Sequence, residues 1–337
     1  MNLGDEAIAE TIVGAIGRHR GISEVVATLN TRLANRAAPT GRFSPRPVHR
    51  LAHEVARADA VLIGGGTLLQ DNVPIESSWR LRGLLRLQLA VVALCRSTRT
   101  PYAYALVGAE YLERPAARRA VRFLVEHAAC VAVRDPASAE LLTSFATPQR
   151  LAVGADAVFL AATPVPRGQA RTRVAVSLLS LAQPELIKTL ARSLDALFPH
   201  AHLLLVPTDR RVDCDGVALR ILQQSLMEPS RVSWFAADRP WQELVAELGS
   251  CQLAVGMRMH FLMLAALART PAVVIAASPK LRSFAADGAL ALVDARAPAG
   301  LNAALADAAA MDELVFAALR RRAETGLACC LQAVGAK

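Results

Sequence analysis

Residues 253–280 read LAVGMRMHFLMLAALARTPAVVIAASPK, and this stretch decides the fold. A short apolar run ends at Val255, Gly256 makes a turn, a longer apolar segment of helical length follows, and a second apolar run, PAVVIAA, leads into SPK. Strand, turn, helix and strand in that order are a βαβ unit, which places both strands in one parallel sheet. Arg258 and His260 then stand where the helix begins, and Lys280 leaves the next strand at the same edge of the sheet. A cation at a helix N-terminus is opposed by the helix dipole, by up to about 1 kcal/mol. The sign reverses when an anion docks among the free N–H groups and the guanidinium. Each of the three has a plain structural explanation: an arginine on a local carboxylate, a histidine capping the helix, a surface lysine. At adjacent strand ends they point together to an anion-sized site. Lysine is scarce, occurring only at 188, 280 and 337, so its presence in such a motif counts for more.

The same alternation runs outward in both directions. EVVATLN, DAVLIGGGT, TPYAYALVG and CVAVRD read as strands, separated by helices at VHRLAHEVARA, at the long 77–97 stretch and at RPAARRAVRFLVEHA. In DPASAELLTSF, Asp135 caps a helix and Pro136 takes its first position. The segment TPVPRGQARTR (163–173) has proline, glycine and arginine without apolar periodicity and reads as a linker. Beyond it the pattern resumes, ending in a helix from about Met311. The expectation is an α/β protein of two Rossmann-like domains, 1–162 and 163–337, facing a cleft outside the carboxyl ends of the strands.

Composition narrows the class. The 337 residues are 53% hydrophobic and 20% charged, which is globular, and the longest apolar runs are too short to span a bilayer. The net charge of +9 does not indicate nucleic acid, because the cations are dispersed and aromatics are 4%, too few for base stacking. A basic surface suits anionic small molecules or acidic glycans. Six scattered cysteines without a C-x-x-C pair, and no basic leader, read as a cytoplasmic chain whose thiols are mostly small buried hydrophobes. No cluster has the spacing of metal ligands.

In the N-terminal half, Gly64, Gly65, Gly66 and Thr67 follow a strand, allowing close approach of backbone to a ligand or simply tight packing. They form neither a Walker A loop nor G-x-G-x-x-G. Arg134 follows another strand, and Asp156 lies between apolar residues, placed either to orient a cation or to pair locally. At the start, NLGDEAI contributes Asn2, Gly4 and Asp5 in a polar turn before a helix.

NLGDEAI, ADAVLIGGGTLLQD, VAVRDPASAELL, VGADAVF, VAVSL and the 253–280 segment occur in the order seen in the polysaccharide pyruvyl transferase family, which the chain resembles from residue 2 to about 285. The resemblance implies a GT-B-like fold and transfer of the pyruvyl group of phosphoenolpyruvate to two hydroxyls of one sugar, forming a ketal and releasing phosphate. It implies that Arg258, His260 and the Met259 backbone contact phosphoenolpyruvate; Lys280 is added here as a phosphate ligand. The acceptor, a cell-surface glycan or its lipid-linked precursor, would lie near Asn2, Gly4, Asp5, Gly64 to Thr67, Arg134 and Asp156. No cofactor or metal is implied. A lipid-linked acceptor implies peripheral attachment at the inner membrane face, with Trp79, Arg80, Arg82 and Arg86 on the 77–97 helix as the alternative to simple packing. Two features depart from the family: VAVSLLSLAQP lacks the arginine common after that strand, for which Arg210 or Arg211 could substitute, and YALVGAEYL lacks a glycine-rich turn. In the family a strand precedes the NLGDE turn, so the reading expects an upstream in-frame strand. The competing readings are a sugar-nucleotide glycosyltransferase of the same architecture and a non-catalytic binder of glycan or anion.

Overall fold

The computed structural model describes residues 3–19, 22, 25–27, 41–43, 48–71, 83–161, 171–209, 215–236 and 238–335. Asn2, Trp79, Arg80, Arg82, Arg210 and Arg211 lie outside the described residues, as does most of the linker. Contacts divide the chain into two units, one of Ile8–Ala161 with Ala318–Lys337 and one of Met1–Ala7 with Ala162–Ala317. The first seven residues therefore group with the second half of the chain, and the end of the last helix with the first half.

In chain order the N-terminal unit is built from α1 (Leu3–Gly17, which its first turn shares with the other unit), β1 (Val25–Ala27), β2 (Gly41–Phe43), α2 (Val48–Arg57), β3 (Val61–Gly64) and β4 (Leu69–Gln70). It continues with α3 (Gly83–Thr98), β5 (Tyr102–Val107), β6 (Ala109–Glu110), α4 (Pro115–Glu126), β7 (Cys130–Val133), α5 (Pro136–Thr143) and β8 (Leu151–Val153). β3, β5, β7 and β8 make a four-stranded parallel sheet in that order. Every residue of β5 and β7 is buried, as expected of strands covered on both faces, and this is why they read as unbroken apolar runs. The crossover helices start as their sequences dictate. Asp135 accepts from Ser138 N at 2.7 Å with Pro136 at the first position of α5, and Pro115 opens α4.

The C-terminal unit contains β9 (Arg173–Ser177), α6 (Pro184–Leu197), β10 (His202–Leu205), α7 (Asp215–Ser225), β11 (Val232–Trp234), α8 (Trp241–Gly249) and β12 (Cys251–Gly256). There follow α9 (Met259–Leu267), β13 (Ala272–Ala276), α10 (Pro279–Gly288), β14 (Ala291–Asp294), α11 (Leu301–Ala306) and the start of α12 (Glu313–Ala333), which ends in the other unit. Its six parallel strands are ordered β11-β10-β9-β12-β13-β14. The chain moves outward from β9 on one side, returns, and moves outward on the other. The order reverses between β9 and β12, and the carboxyl ends of strands flanking such a reversal are where α/β sheets bind ligands. Apart from His260, α9 is apolar because every other residue of it is buried. Among the described residues, no helix is long and apolar enough to cross a membrane.

Candidate functional site

The functional residues expected from sequence fall into two clusters, one in each unit. In the C-terminal unit the site forms where β12 ends. Arg258 is the N-cap residue of α9, and His260 is the one residue of that helix that is not buried. Met259 between them is buried, so only its backbone is available to a ligand. The dipole penalty on Arg258 is met by an internal carboxylate. Arg258 Nε donates to Asp215 Oδ1 and Oδ2 at 3.1 and 3.0 Å, and Nη2 donates to Oδ1 as well. Asp215 opens α7, where the dipole favours an anion, and its side chain is fully buried. Its Oδ2 also accepts from Thr208 N, Thr208 Oγ1 and Asp209 N at 3.1, 3.1 and 3.0 Å. The Asp209 carboxylate lies 3.8 Å from the guanidinium. Nη1 of Arg258 donates to no described residue, which leaves one edge of the fork for a ligand.

The same loop receives the start of the chain. Leu3 N donates to Thr208 O at 3.0 Å, and Gly4 lies so close to His260 that a Cβ there would collide with the imidazole. The expected polar turn before a helix is itself helical, since Leu3, Gly4 and Asp5 are the first turn of α1; Gly4 is brought to Arg258-x-His260, and Asp5 is exposed. Lys280 is half-buried in the first turn of α10, after β13, the strand paired with β12. Ser177, at the end of β9 where the family arginine would follow, turns inward and donates to Val206 O at 2.8 Å.

The N-terminal cluster gathers at the carboxyl ends of β3, β5, β7 and β8. Gly65 and Gly66 have φ of 72° and 70°, values that glycine adopts freely, and a Cβ on Gly65 would also strike Ile8. Gly65 N donates to Ala105 O, and Gly108 N to Gly66 O, locking the loop to β5. Thr67 Oγ1 accepts from Arg134 Nη2 at 2.8 Å. Arg134, with only 2% of its side chain exposed, has three carboxylates around it: Asp135 at 3.3 Å, and Glu110 and Asp156 at 3.5 Å. Asp156 pairs with Arg134 and accepts from Val158 N at 3.1 Å. In the same unit Asp71 and Arg114 form a buried bidentate pair at 2.6 and 2.8 Å.

Of the expected residues Gly64 to Thr67, Arg134 and Asp156, the structure brings Thr67, Arg134 and Asp156 together. Sequence reasoning missed Asp215, Asp209 and Thr208 around Arg258, and Glu110 beside Arg134. The available signal was electrostatic, because an arginine drawn even partly out of water requires an acceptor. Among the described residues no group of three or more histidine, cysteine or acidic side chains is arranged to hold a metal ion.

Solved structures share the fold at low identity. A UDP-GlcNAc 2-epimerase from Neisseria meningitidis, bound to UDP-GlcNAc, superposes with a TM-score of 0.60 at 13% identity, covering 98% of this chain and 97% of that one. A UDP-GlcNAc 2-epimerase from Methanocaldococcus jannaschii gives 0.56 at 12% identity, over 90% and 89%. The sucrose-phosphate synthase of Thermosynechococcus elongatus gives 0.51 at 16%, over 97% and 88%. These likenesses establish a GT-B-like α/β fold. No curated protein matches the chain. The model of the family described as polysaccharide pyruvyl transferase matches residues 2–279, most of the chain, and the protein belongs to that family of transferases.

Proposed function

We propose that the protein moves the pyruvyl group of phosphoenolpyruvate onto two hydroxyls of one sugar in a cell-surface polysaccharide or its lipid-linked precursor. The observation that carries this reading is the Arg258-x-His260 turn. There a guanidinium is fixed through Nε and Nη2 while Nη1 donates to no described residue, two residues from the only unburied side chain of α9. A fixed guanidinium edge matches a carboxylate or phosphate. In the reaction C3 of the enol gains a proton and C2 forms bonds to both sugar oxygens. The C2–O bond to phosphate breaks, and the two hydroxyl protons are accounted for by the new methyl group and the released phosphate. His260 is assigned as the acid that protonates the enol, with Lys280 on the phosphate. The Arg134 cluster is assigned to the acceptor, where a carboxylate takes the hydroxyl proton. A lipid-linked acceptor would bring the enzyme to the inner membrane face.

One observation favours a non-catalytic reading. Arg258 already faces Asp215 and Asp209, two carboxylates against one guanidinium. Phosphate release from phosphoenolpyruvate across a panel of glycan acceptors separates the cases. Release that depends on acceptor and is lost in Arg258→Ala is the expected result. Nucleoside diphosphate release from a sugar nucleotide, or full turnover by Arg258→Ala, overturns the assignment. Phosphoenolpyruvate binding without turnover on any acceptor would favour the binder.

A further inference from the structure

Five described residues other than glycine have left-handed φ: Arg99, Leu106, Tyr111, Arg269 and Ala289. Arg99, Arg269 and Ala289 close α3, α9 and α10, where a left-handed residue commonly ends a helix. Leu106 and Tyr111 close no helix. They stand on either side of Gly108, where the chain leaves β5 and crosses the Arg134 cluster. Leu106 is fully buried and its side chain explains its place. Tyr111 has no such explanation, because it is 47% exposed, whereas Tyr102 and Tyr104 are buried.

The backbone at Tyr111 is held from both sides. Before it, Glu110 pairs in β6 with β4 and places its carboxylate 3.5 Å from Arg134 Nη2. After it, Leu112 is buried and its carbonyl accepts from Arg118 Nε at 2.7 Å. With φ near 50°, glycine would sit here at less cost than any residue with a Cβ. A strained, solvent-facing aromatic beside a polar cluster is the kind of outlier that function explains better than folding does. Burial and the Glu110 carboxylate hold the phenol above its usual range, so its hydroxyl stays neutral and able to donate.

We propose that Tyr111 is the aromatic platform on which a pyranose ring of the acceptor stacks, its hydroxyls reaching Glu110 and Thr67, which Arg134 holds in place from below the surface. An aromatic face covers the C–H groups of one sugar face, while carboxylate and hydroxyl satisfy the rim. The assignment rests on the reading that the N-terminal unit takes the acceptor, and it names the class of ligand as a neutral hexopyranose.

The test compares Tyr111→Gly, Tyr111→Phe and the unsubstituted protein by saturation-transfer NMR with methyl gluco-, galacto- and mannopyranosides, without phosphoenolpyruvate. Tyr111→Gly should melt at or above the parent, since φ suits it, yet bind the preferred glycoside roughly tenfold more weakly. Tyr111→Phe keeps the ring and should stay within about twofold of the parent. A purely structural tyrosine would leave binding unchanged in Tyr111→Gly. That outcome, loss of binding in Tyr111→Phe, or no transfer to any glycoside from the parent protein, overturns the platform. Phosphate release is measured separately. Glycoside binding through Tyr111 without release from phosphoenolpyruvate sinks the pyruvyl reading alone, and turnover with an unchanged acceptor KM in Tyr111→Gly sinks the platform alone.

Discussion

Replacing Asp215 by alanine removes the hub of the C-terminal cluster. One fully buried carboxylate accepts from Arg258 Nε and Nη2, Thr208 N, Thr208 Oγ1 and Asp209 N. Its loss leaves a guanidinium and two backbone donors without their acceptor. Breaking a buried ion pair from one side costs about 3–5 kcal/mol. Two features lower the expected value here: the Arg258 side chain is still 20% exposed, and Asp209 Oδ2 at 3.8 Å can move in as a substitute. We expect a loss of about 3 kcal/mol for Asp215→Ala. At roughly 2–4 °C per kcal/mol for a domain of this size, the melting temperature should fall by about 6–12 °C. Asp215→Asn keeps one acceptor but turns an amide donor toward other donors, so it should fall between the two. Differential scanning calorimetry on the single variants and on Asp215→Ala/Arg258→Ala checks the origin of the effect. Removing both partners should cost less than the sum of the single losses by about 1 kcal/mol or more. Asp215→Ala melting with the parent, or strict additivity in the double variant, would refute the claim that this carboxylate fixes Arg258.

Gly4→Ala should lower the melting temperature and shift the His260 ring resonances. Alanine within a helix normally stabilises by roughly 0.5–1 kcal/mol, so the sign alone tests the close approach. Glu126 accepts from Thr147 N, Thr147 Oγ1 and Arg122 Nε, which hold its carboxyl below the ordinary value. A carboxyl lowered on folding stabilises above its unfolded pKa, and that gain disappears as pH falls through the folded one. Glu126→Gln should therefore melt below the parent at pH 7, and the gap should close as pH falls from the ordinary carboxyl range through the lower folded one; a gap that stays constant over that acid range would contradict this. Burial pushes the Cys95 and Cys251 thiols up to about 11, so both should resist iodoacetamide in the native protein at pH 8 and react on unfolding, as peptide mass spectrometry would show.

What could be read in advance was whatever period and local chemistry encode. β12, α9 and β13 follow from apolar runs of the right lengths around Gly256, and Asp135 with Pro136 announces α5. The partner of Arg258 could not be read this way. Asp215 lies 43 residues upstream, and only the strand order β10-β9-β12 brings the start of α7 to the start of α9. Sequence distance carries no trace of that order. The opening turn shows the same limit: NLGDE reads as a helix start wherever it docks, and its attachment to Thr208 and His260 depends on a glycine's emptiness matching an imidazole's bulk. At YALVGAEYL the departure from a glycine-rich turn was visible, but its consequence was not. Residues that normally avoid positive φ accept it at Leu106 and Tyr111 because the flanking hydrogen bonds and buried side chains over-determine the backbone. Where glycines would have made the turn without strain, this chain has an exposed phenol next to Glu110, whose carboxylate pairs with the buried Arg134.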